Sequence, residues 1–388
     1  MTPRRLLIVS HVVHYEHEGA VLAYGPYARE IEIWADLFAE VAIACPVRRG
    51  PAAPDALPIR RDNVRVWPVA ETGGHGPGPR LHQLSRLPGM IGTMAAAIGW
   101  ADAVHVRCPG NLGLLGAALA PLSGKPRVAK FAGQWNGYDG EVWTGRLQRW
   151  LLRRWWAAPV LVYGEWPGDP AHIVPFFTSM MTDEQVDRAA DVAATKAIGS
   201  PLKVLFAGRL EPVKRVDALL EAAGLLEQRG VPAEVVVLGD GSQRHRLERL
   251  AADLPAASAV RFVGALPFDE ALAWYAWADC LVLPSEHSEG WPKVVAEAMC
   301  HGVVCVAVDH GQVRRMLDGR GVVLSSGAPA EIAAALADIA SAPTRYAAMS
   351  KDASQWARGY SLEGMRAALA ALLSDRWATP MTVAEGRR

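Results

Sequence analysis

Residues 285–299 read SEHSEGWPKVVAEAM, and the fold follows from reading outward from them. They continue the apolar run CLVLPS (280–285), which has the short pattern of a strand covered on both faces. A polar loop from Glu286 to Glu289 follows, and Gly290 permits a tight turn. Pro292 suits a first helical turn, where its missing N–H costs nothing. The helix is expected to run to about Cys300 and to stop near Gly302. Strand, loop and helix in this order form one repeat of an open α/β sheet.

The same repeat extends in both directions. RLLIVSHV, EVAIACP, VRVWPV, DAVHVR, RVAKFA and PVLVYG read as strands in the first half. KVLFAG, AEVVVLG, VRFVG, CLVLPS, VVCVAV and GVVL repeat the pattern in the second. Helical stretches are expected at 26–38, 80–99 and 144–157, with a mobile Gly/Pro-rich loop at 71–79. The fold class is therefore α/β, with two doubly wound, Rossmann-like parallel-sheet domains. The strandless, polar segment 176–200 marks the boundary. This gives domains at 1–185 and 186–342, and helices at 343–388 that pack back toward the amino-terminal domain. In that tail YSLEGMRAALAALL has a helical pattern that opens at a Ser361 cap.

Composition narrows the function. At 388 residues, two domains are the default. A formal net charge of zero argues against a nucleic-acid binder that works by bulk electrostatics. The five cysteines, at 45, 108, 280, 300 and 305, have no zinc or redox spacing and read as reduced thiols of a cytoplasmic protein. No apolar run is long enough to span a bilayer. MTPRRLLIVSHVV has the two arginines of a twin-arginine signal, but its apolar stretch is short and runs into His11 and His14. A first buried strand after two solvated arginines is the expectation.

Glu297 falls inside an apolar helix, where an ionised carboxylate must be paired or hydrogen-bonded. It is either a structural partner or a ligand contact, and Glu289 alone would be an ordinary solvated loop residue. Together they stand eight residues apart, about 12 Å along a helix, enough to bridge the sugar and ribose ends of a nucleotide sugar. Between them lies a helix N-terminus whose free amides, at Trp291 and Lys293, suit a diphosphate. A second constellation, KVLFAGRLEPVKRVDALLEA, ends a strand at Gly208 and sets Arg209 and Lys214 at the carboxyl edge of the sheet. These cations are either a phosphate clamp or ordinary surface charge, with Lys214 and Arg215 paired to Glu211 or Glu221. In VVVLGDGSQRHRLERLA the Gly239-x-Gly241 turn is either a phosphate contact or a tight connection. Val263 to Leu266 end a strand where a base would rest against backbone.

AGRLEPVKRVDALLEA, LGDGSQRHRLE, VRFVGALPFDEALAWYAWADCLVLPS and EGWPKVVAEAMCHGVVCVA, in this order and spacing, resemble the retaining family 4 glycosyltransferases of GT-B fold. The resemblance covers most of 200–325 and implies two domains facing a central cleft. It implies that Glu289 contacts donor-sugar hydroxyls, Glu297 the ribose, and Arg209 and Lys214 the diphosphate. The family often has Gly-Phe-Gly after the first glutamate, whereas this chain has Gly290, Trp291 and Pro292.

The amino-terminal half follows the family in outline only. A long loop, SHVVHYEHEGAVLAYG, is expected after the first strand, and Gly25-Pro26 then opens a helix. The family places a glycine pair against the donor phosphates near here, and Gly19 and Gly25 are the candidates, with Gly25 preferred. His105 occupies the place of the family's histidine near the reaction centre, with Arg107 as the alternative and a buried, backbone-bonded His105 as the structural reading. His11, His14 and His17 read as acceptor-side groups or plain loop, without a metal-ligand spacing. Trp135 and Asn136, in KFAGQWNGYDG, either stack on an acceptor or pack a loop. The basic-aromatic segment 144–158 either lies on an anionic membrane or packs on its own sheet with its arginines outward.

The expected reaction is transfer of a sugar from a nucleoside diphosphate sugar to an acceptor hydroxyl with retention of configuration. The acceptor is a glycan, a lipid-linked saccharide or a small molecule. No cofactor is expected, and with no Asp-x-Asp in the chain the catalysis is expected to be metal-independent. The protein is placed in the cytoplasm, with a peripheral inner-membrane site as the variant. The alternatives are a nucleotide-sugar epimerase and a non-catalytic glycan-binding partner in polysaccharide assembly.

Overall fold

The computed structural model describes residues 4–53, 55–71, 77–138, 141–255, 259–286 and 290–381, with backbone alone for 77–85. The chain forms two compact units, residues 1–178 with 365–388, and residues 179–364.

The strands of unit 1 are β1 (Arg5–Val9), β2 (His14–His17), β3 (Ala20–Tyr24), β4 (Glu40–Cys45), β5 (Val47–Arg49), β6 (Ala56–Pro58), β7 (Val64–Pro68), β8 (Ala103–Cys108), β9 (Arg127–Phe131), β10 (Val160–Tyr163) and β11 (Ile173–Phe176). Seven of them make a parallel sheet in the order β11-β10-β9-β8-β1-β4-β7. The chain leaves β1 toward β4 and β7 and returns to the other side at β8. The winding therefore reverses between β1 and β8, where open α/β sheets form a ligand crevice. Leu7, Val9, Val104, Val106, Ala129 and Phe131 pack in a core with Leu152 and Trp156.

The segment expected to be a long loop, residues 10–25, folds instead as two antiparallel strands. His14–His17 and Ala20–Tyr24 pair around a two-residue turn, Glu18-Gly19, in which both residues have positive φ (49° and 78°). That is the primed turn matching strand twist, and Gly19 supplies it at little steric cost. With β5 and β6 the hairpin makes a separate sheet, β5-β2-β3-β6. Strand β11 was also missed, because Pro175 interrupts a four-residue run.

Unit 2 contains β12 (Leu202–Ala207), β13 (Ala233–Leu238), β14 (Val260–Gly264), β15 (Cys280–Leu283), β16 (Val304–Val308) and β17 (Gly321–Leu324). They form a parallel sheet in the order β14-β13-β12-β15-β16-β17, so its winding reverses between β12 and β15. Val204, Phe206, Val237, Val282 and Val306 pack with Leu219 and Leu336 in its core.

The division between the units falls at 178/179 rather than 185/186. The segment read as a linker holds helix Asp183–Ala194, capped by Thr182. Thr182 Oγ1 accepts from the Gln185 amide at 3.2 Å, and the Gln185 side chain accepts from the Thr182 amide at 3.0 Å. Helix Pro343–Ala357 belongs to unit 2, where Ser350 and Ser354 donate to the Gly302 and Cys300 carbonyls. The chain returns to unit 1 at Met365; there Trp377 packs edge-on to Phe38 and Arg366 pairs with Asp36 at 3.4 Å. Helix Pro77–Trp100 starts before the expected residue 80; residues 72–76 of the Gly/Pro-rich loop, and 382–388 of the tail, lie outside the described residues. All five cysteines are buried and unbridged.

Candidate functional site

The β12/β15 crossover gathers the loops that end four neighbouring strands. After β12, Gly208 has a φ of 153°, Arg209 is exposed, and Pro212–Lys214 forms a single 3₁₀ turn. After β13, Gly239 and Gly241 pack directly on this loop. A Cβ on Gly239 would stand 1.9 Å from the Gly208 carbonyl oxygen, and one on Gly241 2.6 Å from that of Leu210. The Leu210 amide donates to Asp240 and the Gln243 amide to Leu210, both at 2.9 Å. The Gly-x-Gly is thus required by loop-on-loop contact, and it fixes the backbone that carries Arg209.

Beyond β13, the Gly239 amide donates to the Gly264 carbonyl at the end of β14 at 2.8 Å. Val263 and Leu266 are half-buried around that end, on the outer strand of the sheet.

On the other side of the crossover, the Glu286 amide donates to the Val213 carbonyl at 3.0 Å. The Glu286 carboxylate pairs with Arg215 at the same distance. The loop after β15 is therefore tied to the turn that bears Lys214. Glu289 lies outside the described residues. Gly290 is buried, and helix Lys293–Cys300 starts after Pro292 without a side-chain cap. Its first-turn amides and positive dipole end therefore follow Gly290–Pro292 directly. The Ser285 hydroxyl, in a residue 2% exposed, has no hydrogen-bond partner among the described residues.

Two motif side chains have structural partners. Trp291 packs against Trp356 and Tyr360, which leaves its backbone as the part available to a phosphate. Glu297 is 6% exposed, and its Oε2 accepts from the Tyr275 hydroxyl at 2.8 Å. Burial, then the Glu297 carboxylate, push the Tyr275 phenol well above its usual value.

In unit 1 the sequence-selected residues separate. The Gly25 amide donates to Asp55 O, and that oxygen and Leu57 lie 3.1 Å from where a Cβ would project. This glycine therefore serves the contact with the small sheet. Trp135 is fully buried and donates to Asp169 at 2.6 Å, so its faces are closed to an acceptor; Asn136 beside it is exposed. His14 is buried on β2 and bonds Val12 O through Nδ1. Burial lowers its pKa to about 4, leaving a neutral ring.

His105 is buried in mid-strand, stacked on Trp34 at 4.3 Å, with Nδ1 3.4 Å from Val128 O. Burial lowers its pKa to about 3. Two residues on, Arg107 reaches the end of β8 and pairs with Glu30 Oε2 at 3.0 Å. Lys130, its register partner on β9, pairs with the same oxygen at the same distance. Helix Gly25–Leu37 supplies both Trp34 and Glu30, one turn apart, over this face. The two cations overcome the burial of Glu30 and hold its carboxyl down at about 2. Glu30 and Lys130 were missed in the sequence, although a lysine in the apolar run RVAKFA needs a buried partner.

On helix Trp143–Arg154, Trp143 and Trp150 are exposed with Arg146 and Arg154, at the spacing of one helical face. Arg149 and Arg153 point elsewhere than expected: the first pairs with Glu141 in a buried contact, the second with Asp169 at 2.7 Å. No helix among the described residues is long and apolar enough to cross a membrane.

Residues 187–356 match the family described as Glycosyl transferases group 1. A D-inositol 3-phosphate glycosyltransferase from Thermobispora bispora is 31% identical over 201 residues, 48% of this chain and 47% of that protein. A GDP-mannose-dependent alpha-(1-6)-phosphatidylinositol monomannoside mannosyltransferase from Mycolicibacterium smegmatis is 31% identical over 199 residues, 49% of this chain and 52% of that one. The match spans about half the length of these curated relatives. Two solved structures share the fold along nearly the whole chain. Anabaena HepE in complex with UDP has a TM-score of 0.68 at 15% identity, covering 96% of this chain and 100% of that one. Sucrose-phosphate synthase from Thermosynechococcus elongatus has a TM-score of 0.69 at 17% identity, covering 97% and 99%.

Proposed function

We propose that the chain is a group 1 glycosyl transferase of GT-B fold, a reading supported by the match over residues 187–356 and by the shared fold, and that it transfers a sugar from a nucleoside diphosphate sugar to an acceptor hydroxyl with retention of configuration. One observation carries this reading: at the β12/β15 crossover the turn bearing Lys214 is hydrogen-bonded to Glu286 after β15, and the next helix in the chain starts uncapped at Lys293. As the glycosidic bond breaks, negative charge grows on the leaving diphosphate. Arg209, Lys214 and the first-turn amides from Lys293 onward stabilise it more in the transition state than in the ground state. Glu289 holds the donor sugar, and Glu297, oriented by Tyr275, contacts the ribose. Val263 and Leu266 flank the base, while Gly208 and Gly290 give the backbone clearance. Anabaena HepE holds UDP and UDP-glucose in solved complexes, which supports such a donor here.

Lys214→Ala is expected to lower turnover by about a hundredfold or more while leaving the fold intact. Near-normal turnover would refute the role of Lys214, and failure of the chain to bind any nucleoside diphosphate by calorimetry would refute the reading as a whole. Consumption of donor without acceptor would move it to an epimerase. Anomeric NMR of the product tests retention.

The helix face with Trp143, Arg146, Trp150 and Arg154 supports a peripheral contact with anionic lipid, as the aromatic rings sit at headgroup depth and the arginines meet the charge. Co-sedimentation with phosphatidylglycerol vesicles, lost in Trp143→Ser/Trp150→Ser, is the expected result. Equal sedimentation of both proteins would refute it.

A further inference from the structure

We propose that the β1/β8 crossover of unit 1 is an anion receptor, and that the acceptor substrate carries a phosphate or carboxylate which Arg107 binds. This deepens the glycosyl-transfer reading and rests on it.

The argument is one of charge and access. Glu30 is shared by two cations, both 3.0 Å from its Oε2. Among the described residues Glu30 is the one carboxylate that acts on Arg107 and Lys130, so with both bases protonated the cluster keeps one surplus positive charge. The side chains of Lys130 and Glu30 are sealed, at 2% and 5% exposure, whereas Arg107 is 14% exposed. The surplus therefore meets solvent through the guanidinium, whose remaining N–H groups form the planar fork that suits an oxyanion.

Beyond Glu30, what surrounds Arg107 brings no opposing charge among the described residues. His11 follows β1; burial of its ring, and then the Arg107 charge, lower its pKa, so the imidazole is neutral and leaves the charge to Arg107. Its ring lies 2.5 Å from where a Cβ on Gly110 would project. Gly110 is the N-cap of helix Asn111–Leu119, which has no side-chain cap. Guanidinium, imidazole and a helix dipole end thus stand together where the sheet winding reverses. Lys130 holds Glu30 in place, so Arg107 is not fully neutralised by its own carboxylate.

The full chain is titrated with inorganic phosphate at constant ionic strength while a saturating nucleoside diphosphate fills the donor site. Saturable binding is expected, weakened about tenfold or more in Arg107→Gln. That variant leaves a balanced Glu30–Lys130 pair and is expected to stay folded. His11→Glu is the second variant; it sets a carboxylate beside Arg107 from the surface and is expected to abolish phosphate binding without touching the buried pair. Equal phosphate affinity in the wild type and His11→Glu, or no saturable binding in the wild type, would overturn the proposal.

Steady-state kinetics with a soluble polyol and its phosphate monoester test the acceptor itself. Arg107→Gln is expected to raise KM for the phosphorylated acceptor alone and to leave the donor KM unchanged. A rise for both acceptors alike would reduce Arg107 to a structural residue. Phosphatidic acid vesicles that displace inorganic phosphate would assign the anion to a lipid headgroup; displacement by the soluble monoester alone would assign it to a soluble acceptor. Loss of nucleoside diphosphate binding would instead strike the glycosyl-transfer reading, which this titration reports separately.

Discussion

Glu30→Gln is the most informative single change in unit 1. It keeps the side-chain volume and removes the one carboxylate among the described residues that pairs with Arg107 and Lys130. Two cations then remain buried without compensation. Removing one partner of a buried ion pair costs about 3–5 kcal/mol. The titration of Glu30 gives a similar figure. Its carboxyl sits at about 2 in the fold against an ordinary 4.5, a difference of about 3 kcal/mol. Because the folded value is the lower one, this stability is fully present above about pH 4.5 and is lost as pH falls through about 2. For a unit of this size the expected drop in melting temperature is roughly 6–20 °C. Lys130→Met is the control. It leaves Glu30 and Arg107 as a one-to-one pair of similar packing, and is expected to cost less than about 1.5 kcal/mol. Calorimetry of both variants, following the unit 1 transition at pH 7 and pH 3, measures the contrast. Equal losses in Glu30→Gln and Lys130→Met, or a Glu30→Gln loss under about 1 kcal/mol, would refute the charge accounting.

Gly239→Ala forces a methyl group to within 1.9 Å of the Gly208 carbonyl at a φ of 137°. It is expected to lose about 1–3 kcal/mol or more and to weaken nucleoside diphosphate binding, since the loop bearing Arg209 must move; denaturation and calorimetry measure the two effects. Tyr275→Phe removes the donor to buried Glu297 and is expected to cost about 1.5–3 kcal/mol, read by urea unfolding, with a raised donor KM if Glu297 holds the ribose. Thr182→Ala removes half of a capping box and should cost about 1 kcal/mol, measured in the unit 2 transition.

The strands were legible wherever the run was apolar and uninterrupted. All six strands of the unit 2 sheet correspond to runs identified in the sequence, because a doubly covered parallel strand leaves a continuous β-branched signature. The hairpin at 14–24 was not, for a physical reason. His14, Tyr15, Glu16 and His17 form a polar strand with weak alternation, and its turn uses Glu18 rather than the Asn or Asp that marks a primed turn. The helix at 183–194 was hidden in the same way. Its capping box uses glutamine, and its polar face outweighs the buried Val186, Ala189 and Ala190.

The two crossovers explain why one site was readable and the other was not. At β12/β15 the chemistry is contiguous: Arg209 and Lys214 sit in one loop, and Gly290 to Glu297 in one loop and helix. Adjacency along the chain therefore reproduces adjacency in space. At β1/β8 the charges come from three elements. Glu30 lies 77 residues from Arg107, and Arg107 meets Lys130 only through the parallel register of β8 and β9. Each looks isolated in the sequence, a glutamate in an amphipathic helix and single cations in apolar strands. The clue was the cost of leaving Lys130 unpaired inside RVAKFA, and it demanded a partner without naming one. The same cost makes the cluster informative about function. A fold that needed only stability would be served by one balanced pair or by apolar side chains of similar volume. Retaining a second cation, and leaving that one partly exposed beside the N-terminus of helix Asn111–Leu119, is what the proposed anionic acceptor would use.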